Sequence, residues 1–341
     1  MRRRILSTAF ALIAGVAVAQ PTPPGPTLAA TRQKGALDCG AHPGAPGFGA
    51  MDSQGIYRGL DADICRAIAA AIFDGDANKV RWTVLNSQAR IPALQSGQVD
   101  LLARTFTWSH GRDTASGIAF TAVNFYDGQG FLVRRSANVA RAKDLDGASI
   151  CVTSGTTNEL NLADWARLMK ITIRPVVFEN NTETRTAYAS GRCDAFSTDA
   201  SQLAGIRTAL SDPDAHIILP DIISKEPLAP AVRKGDPQWF DIVRWTFFAL
   251  LIAEEQGVTQ ANVDEMLNSE NPEIRRLLGR SGDHGHFMGL DNRWAYWAIK
   301  AVGNYGEIFE RNVGQGSMLK LPRGVNALWT NGGLMYAPPI R

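Results

Sequence analysis

The sequence predicts an α/β protein of two similar lobes, each a sheet flanked by helices, joined by a two-strand hinge. Three observations carry that expectation: a length suited to two domains, a β-α-β-α-β rhythm that occurs twice, and two extended runs placed between the copies. At 341 residues, with 45% hydrophobic and 20% charged residues, the chain can bury a core in each lobe. Disordered and fibrous compositions do not fit these values.

The N-terminus has the layout of a secretory signal over residues 1–19. Arg2, Arg3 and Arg4 form a positive start, residues 5–18 are apolar, and Ala17-Val18-Ala19 places small residues before a cut at Gln20. The apolar run is shorter than the roughly 20 residues a spanning helix needs, and no cysteine follows the cut to take a lipid. A free, soluble exported protein is expected. The formal charge of +2 is too small to point to nucleic acid; without the three signal arginines, 32 basic residues face 33 acidic ones, a charge of −1. Residues 20–30, with Pro21, Pro23, Pro24 and Pro26, read as an irregular leader, so order is expected from about Thr31.

The first copy of the rhythm starts with a short strand at 36–40. A helix over 61–72 follows, with Asp61 as a candidate N-cap; then come a strand at 80–85, a helix capped by Ser87 and running to 95, and a strand at 99–103. The second copy has strands at 149–152, 173–178 and 193–198, with helices at 156–169 and 183–190 between them. Such alternation implies parallel strands with helices on their faces. Residues 126–133 and 227–232 are extended runs suited to crossing between lobes. Residues 240–253 form an apolar stretch interrupted by Asp241 and Arg244, and it is expected as a buried helix. Ligands of open α/β sheets bind beyond the carboxyl ends of the strands, so two facing lobes should share one cleft.

The four cysteines, Cys39, Cys65, Cys151 and Cys193, are read as disulfides because the chain is exported. Three pairings are possible, and four free buried thiols are the alternative. Cys39 with Cys65 and Cys151 with Cys193 is favoured, since a βαβ arrangement brings each pair side by side. No spacing points to a metal: His284 and His286 sit in a glycine-rich loop without a third ligand nearby. No cofactor motif is present.

Chemistry-bearing residues collect at the expected strand ends. Arg104, Thr105, Thr107 and Arg112 follow the third strand of the first copy, and an arginine with neighbouring hydroxyls can hold a carboxylate. The bland alternative is a solvated loop with an Arg112–Asp113 ion pair. Thr156 and Thr157, after a glycine at the start of a helix, make either an anion site or an ordinary cap. Asp199 can meet an ammonium or cap the following helix. Taken together, an arginine from one lobe, hydroxyls from both and an acid from the other fit a zwitterion.

The runs GLDADICRAIAAA (59–71), ALQSGQVD (93–100), YDGQGF (126–131), SGTTNELNLAD (154–164), ISKEPL (223–228) and GNYGEIFERNVG (303–314) resemble the periplasmic substrate-binding components of ABC importers for polar amino acids. Within them, the branch for general or acidic L-amino acids is the most similar, over residues 35–341. The resemblance implies the two-lobed periplasmic binding protein fold of type II, with 31–127 and 229–341 in lobe 1 and 128–228 in lobe 2. It implies that Arg112 holds the α-carboxylate with Thr105, Thr107, Thr156 and Thr157, that Asp199 takes the α-ammonium, and that Arg104 meets an acidic or amide side chain. It further implies a monomer that hands its ligand to an ABC permease, without nucleic acid, cofactor or catalysis. His42 and Ala45 depart from the pattern, standing where relatives place an acid and a stacking aromatic. The rival readings are a dehydratase on the same fold acting on a small carboxylate, and a ligand-sensing partner of a receptor.

Overall fold

The computed structural model describes residues 22–341. The export signal expected over residues 1–19 lies outside the described residues. Helix α1 (Pro26–Lys34) corrects the irregular leader expected over 20–30. Pro26 stands in the first turn, where its missing N–H is no loss. Thr27 N donates to Asp236 Oδ2 at 2.9 Å, and Leu28 is fully buried.

Lobe 1 continues through β1 (Leu37–Ala41), a hairpin of β2 (Ala50–Met51) and β3 (Tyr57–Arg58), α2 (Leu60–Ile72), β4 (Val80–Val84) and α3 (Arg90–Ser96). It then adds β5 (Leu101–Leu102), α4 (His110–Ala115) and β6 (Ile118–Phe120), after which β7 (Phe125–Asp127) leaves the lobe. Lobe 2 comprises β8 (Gln129–Arg134), β9 (Ser149–Thr153), α5 (Thr157–Met169), β10 (Arg174–Phe178), α6 (Asn181–Ala189), β11 (Ala195–Asp199), α7 (Ala200–Thr208) and β12 (His216–Ile218). The chain returns by β13 (Glu226–Leu228) to β14 (Ala231–Arg233). It ends in α8 (Pro237–Glu255), α9 (Val263–Met266), α10 (Pro272–Leu277), α11 (Trp294–Val302) and α12 (Tyr305–Asn312), with α8, α11 and α12 contributing to the lobe 1 core.

The two sheets share one plan, β4-β1-β5-β14-β6 and β10-β9-β11-β8-β12. In each, the three strands of the βαβαβ unit run parallel, and the strand arriving from the hinge enters antiparallel. Strands β7 and β13 pair antiparallel, with Glu226 opposite Asp127, and form the hinge. The cysteines pair as expected. Cys39–Cys65 ties α2 to β1, and Cys151–Cys193 ties β9 to the approach of β11.

Two expected caps are corrected. Gly59, at φ 131°, precedes α2, and its Cα lies so close to the Phe48 backbone that a side chain has no room. Asp61 is therefore inside the first turn, and its carboxylate serves the cleft. Ser87 does not cap α3; Asn86 Oδ1 instead accepts from Ala89 N at 2.8 Å and Gln88 N at 3.2 Å. Beyond α12 the chain reaches the hinge, where Asn326 Oδ1 accepts from Tyr126 N at 2.7 Å and Nδ2 donates to Tyr126 O at 3.0 Å.

Because Leu28 anchors α1 in the lobe 1 core, Leu28→Ala should cost about 2–4 kcal/mol. Urea denaturation of the mature protein checks this; a loss below about 0.5 kcal/mol would make α1 peripheral to stability.

Candidate ligand-binding site

The carboxyl ends of the parallel strands of both lobes face one cleft. It leaves about 300 Å³ free of protein atoms, part of it continuous with solvent, within the size range of small-molecule sites. Arg104, Thr105, Thr107, Thr156, Thr157 and Asp199 all line it. Arg112 is not among the lining residues but is bonded to one of them. Arg112 Nη1 donates to Thr107 O at 3.0 Å, and the guanidinium lies over the Phe106 ring at 4.9 Å. The alternative ion pair is not formed, since Asp113 accepts from Trp108 Nε1 at 3.1 Å.

The lobe 1 wall is cationic. Arg104 follows β5, is 2% exposed, and has no hydrogen-bond partner in the protein for Nε or Nη1. Burial lowers its pKa to about 10, against the opposing pull of Asp61, so it remains charged at neutral pH. The backbone here is strained: Thr105 has φ 50°, a left-handed conformation that a β-branched residue adopts at a cost of about 1–3 kcal/mol. Asp61 holds it there, since Oδ2 accepts from Thr105 N at 2.7 Å and Oδ1 from Asn124 Nδ2 at 2.7 Å.

Arg90 was not singled out in the sequence, yet it lines the same wall at 4% exposure. Its Nη2 donates to Gly155 O across the cleft at 3.2 Å, its guanidinium covers Phe106 at 4.4 Å, and its Nε has no partner. A signal was available: a cation in the first turn of a helix opposes the helix dipole and needs another reason to be there. His42 is buried beside these arginines. Its Nδ1 accepts from Gly44 N at 2.9 Å, and burial with Arg104 and Arg90 holds its pKa well below the usual value, so the ring is neutral with its proton on Nε2. That Nε2 lies 3.3 Å from Asn181 Nδ2, so two donors meet at one point.

The lobe 2 wall supplies a helix start and an acid. Gly155, at φ 69°, makes the turn before α5; Thr156 caps the helix, accepting from Glu159 N at 3.2 Å. The next backbone N–H groups have no intrahelical acceptor. Asp199 occupies the capping position of α7 but makes no cap bond. Its carboxylate accepts from Asn158 Nδ2 at 2.9 Å and Gln202 Nε2 at 3.0 Å. Burial, and then the carboxylates of Asp127 and Glu226, push its pKa well above the ordinary range.

The lobes touch across the cleft through Asn86 with Glu179 at 3.1 Å, Gln88 with Ser154 at 3.2 Å, and Thr107 with Thr157 at 3.3 Å. With two lobes, a two-strand hinge and a polar cleft established, residues 37–256 match the bacterial extracellular solute-binding proteins, family 3. The chain belongs to that family. It is 54% identical to the general L-amino acid-binding periplasmic protein of Rhizobium johnstonii, covering all of both chains. It is 51% identical to the glutamate/glutamine/aspartate/asparagine-binding protein of Rhodobacter capsulatus, over 97% of this chain and 96% of that one. A periplasmic binding protein of an ABC transporter from Brucella ovis, solved with glutathione bound, superposes with a TM-score of 0.91 at 54% identity, covering 92% of this chain and 99% of that chain.

Burial raises the Asp61 pKa from 3.8 to about 6 despite its two donors and Arg104. The fold therefore favours the protonated form: stability from this group is fullest below about pH 4 and is lost as pH rises towards 6, on the order of 3 kcal/mol in total. Denaturation between pH 4 and 7 should show this slope, and Asp61→Asn should flatten it. An unchanged slope in the variant would assign the titration elsewhere.

Proposed function

We propose that the cleft binds L-amino acids as zwitterions, favouring side chains that end in a carboxylate or amide, and that the protein delivers them from the periplasm to an ABC permease. The observation that carries this reading is Arg104: a buried guanidinium with two N–H groups lacking a protein partner, facing a cavity whose far wall holds Asp199. A buried donor left unmatched costs about 1–3 kcal/mol, which an anion in the cleft recovers. The names of the relatives support the same ligand class. Glutathione, bound in the Brucella ovis structure, has a γ-glutamyl end that carries an α-ammonium, an α-carboxylate and an amide.

Arg112 takes the α-carboxylate, with Thr105, Thr107 and the Thr156–Thr157 turn around it. Asp199 takes the α-ammonium. Arg104, with Arg90 and the Nε2–H of neutral His42, receives the oxygen at the end of the side chain. A ligand held by both walls binds the closed form better than the open one and shifts the population towards it. Closure then presents both lobes together to the permease.

Calorimetry of refolded, ligand-free protein against the amino acids and glutathione should give micromolar or tighter binding for glutamate, aspartate, glutamine or asparagine, about 8 kcal/mol or more. No heat with any ligand would refute the reading. Arg112→Ala should abolish binding of every amino acid, whereas Arg104→Ala should change their order, with glutamate and aspartate losing most. Equal losses in both variants would end that division of roles.

Asp199 must be ionised to meet an ammonium, so affinity should fall as pH drops through its raised pKa. The binding heat should then depend on the buffer's ionisation enthalpy, because protons are released. A pH-independent affinity down to pH 4 would remove Asp199 from this role.

A further inference from the structure

Glu226 is absent from the cleft wall and was given no role by the sequence, yet it is fully buried on hinge strand β13. Its Oε2 accepts from Thr157 Oγ1 at 2.8 Å; its Oε1 accepts from Asn161 Nδ2 at 2.7 Å and from Ser224 Oγ at 2.7 Å. Thr157 and Asn161 are four residues apart on α5 and share a face, so the carboxylate grips the start of that lobe 2 helix. The backbone beside Glu226 is tied to lobe 1. Pro227 O accepts from Trp108 N at 2.8 Å, and Leu228 pairs with Thr107.

The hydroxyl protons decide what this arrangement does. Each threonine hydroxyl has a single proton, and a carboxylate only accepts. Thr157 spends its proton on Glu226, so the 3.3 Å contact between Thr157 Oγ1 and Thr107 Oγ1 uses the proton of Thr107. A directed chain therefore runs from Thr107 in lobe 1, through Thr157 in lobe 2, to Glu226 in the hinge. Neither hydroxyl proton is left for a ligand carboxylate. Those donors are the backbone N–H groups at the start of α5 and the guanidinium of Arg112.

We propose that Glu226 is a positioning residue that latches the lobes, holding α5 against the lobe 1 loop through Thr157 and Thr107 so that backbone donors and Arg112 converge on the ligand. The inference rests on the cleft being an amino-acid site. It adds a residue that touches no ligand and acts on all ligands alike.

The test is a double-mutant cycle between Glu226 and Thr107, which are joined through Thr157. Glu226→Gln replaces one acceptor oxygen with a donor, and Thr107→Val removes the far end of the chain. By calorimetry with L-glutamate and L-glutamine, each single variant should weaken both ligands by about tenfold, the scale of one charge-assisted hydrogen bond. The double variant should be no weaker than the worse single one, because both break the same chain. Small-angle scattering of ligand-free Glu226→Gln should show a more extended particle than wild type. Fully additive losses, or unchanged affinity and scattering in Glu226→Gln, would overturn the latch. If that variant does not fold, Thr157→Val, which keeps Glu226, is held to the same readouts. Wild-type protein that binds no amino acid would sink the amino-acid reading instead, and the scattering comparison would still judge the latch.

Discussion

Burying charge between two surfaces that must part is the constraint on which this structure depends. Arg90, Arg104 and Arg112 gather on one side of the cleft, and Asp127, Asp199 and Glu226 on the other side and in the hinge. None of these groups is cheap to hold away from water without a partner. Lobe 1 spreads the cost by stacking: the Phe106 ring is covered by Arg90 at 4.4 Å and by Arg112 at 4.9 Å. Lobe 2 spreads it through the amides of Asn158 and Gln202 on Asp199. What neither lobe settles alone is the remaining pair of Arg104 donors, Nε and Nη1, and in the proposed reading the ligand meets them as the lobes close.

The repeated βαβαβ plan makes this separation of charge possible. Parallel strands bring their carboxyl ends to one edge, so each lobe presents a row of loop residues rather than a wall of core side chains. Those loops are then fixed from behind. Asp61 restrains Thr105 in a left-handed conformation, and the Cys39–Cys65 bond holds the helix that carries Asp61 against its own strand. The strain at Thr105 is thus maintained by a buried carboxylate and a covalent link, leaving the guanidinium of Arg104 aimed rather than free to seek a partner elsewhere.

Much of this was legible in residue order. The two rhythms, the crossings at 126–133 and 227–232 and the cysteine pairs follow from local periodicity and from neighbours in a βαβ unit, which short-range pattern encodes well. The cleft residues Arg104, Thr107, Thr156, Thr157 and Asp199 were legible because strand ends are. What escaped depends on contacts distant in sequence. Helix α1 looked like a proline-rich leader because its stability comes from Leu28 in the core and Asp236 on Thr27. Asp61 looked like a cap because the close approach of Gly59 to Phe48, which sets the cap of the helix two residues earlier, involves residues from two loops. Glu226 looked like one charged residue in a linker; only pairing with β7 and the arrival of α5 bury it.

Breadth and selectivity are served by different parts of the molecule. In the proposed site, the groups every amino acid shares, its ammonium and carboxylate, meet Asp199, the α5 start and Arg112, and the α5 start is bonded to the hinge through Glu226. In the same proposal the part that varies, the side chain, meets Arg104 and His42 in lobe 1 loops and Arg90 at the start of α3. His42 reaches lobe 2 only through Asn181, at 3.3 Å, a contact between two donors that an acceptor oxygen from the ligand would improve. By the proposed division of roles, changing that far corner alters which side chain is preferred without loosening the hinge. By the proposed latch, changing the corner near Glu226 alters closure for every ligand, so an amino-acid site of this design can shift its preference by substitution at the far corner while its closing device stays at the hinge.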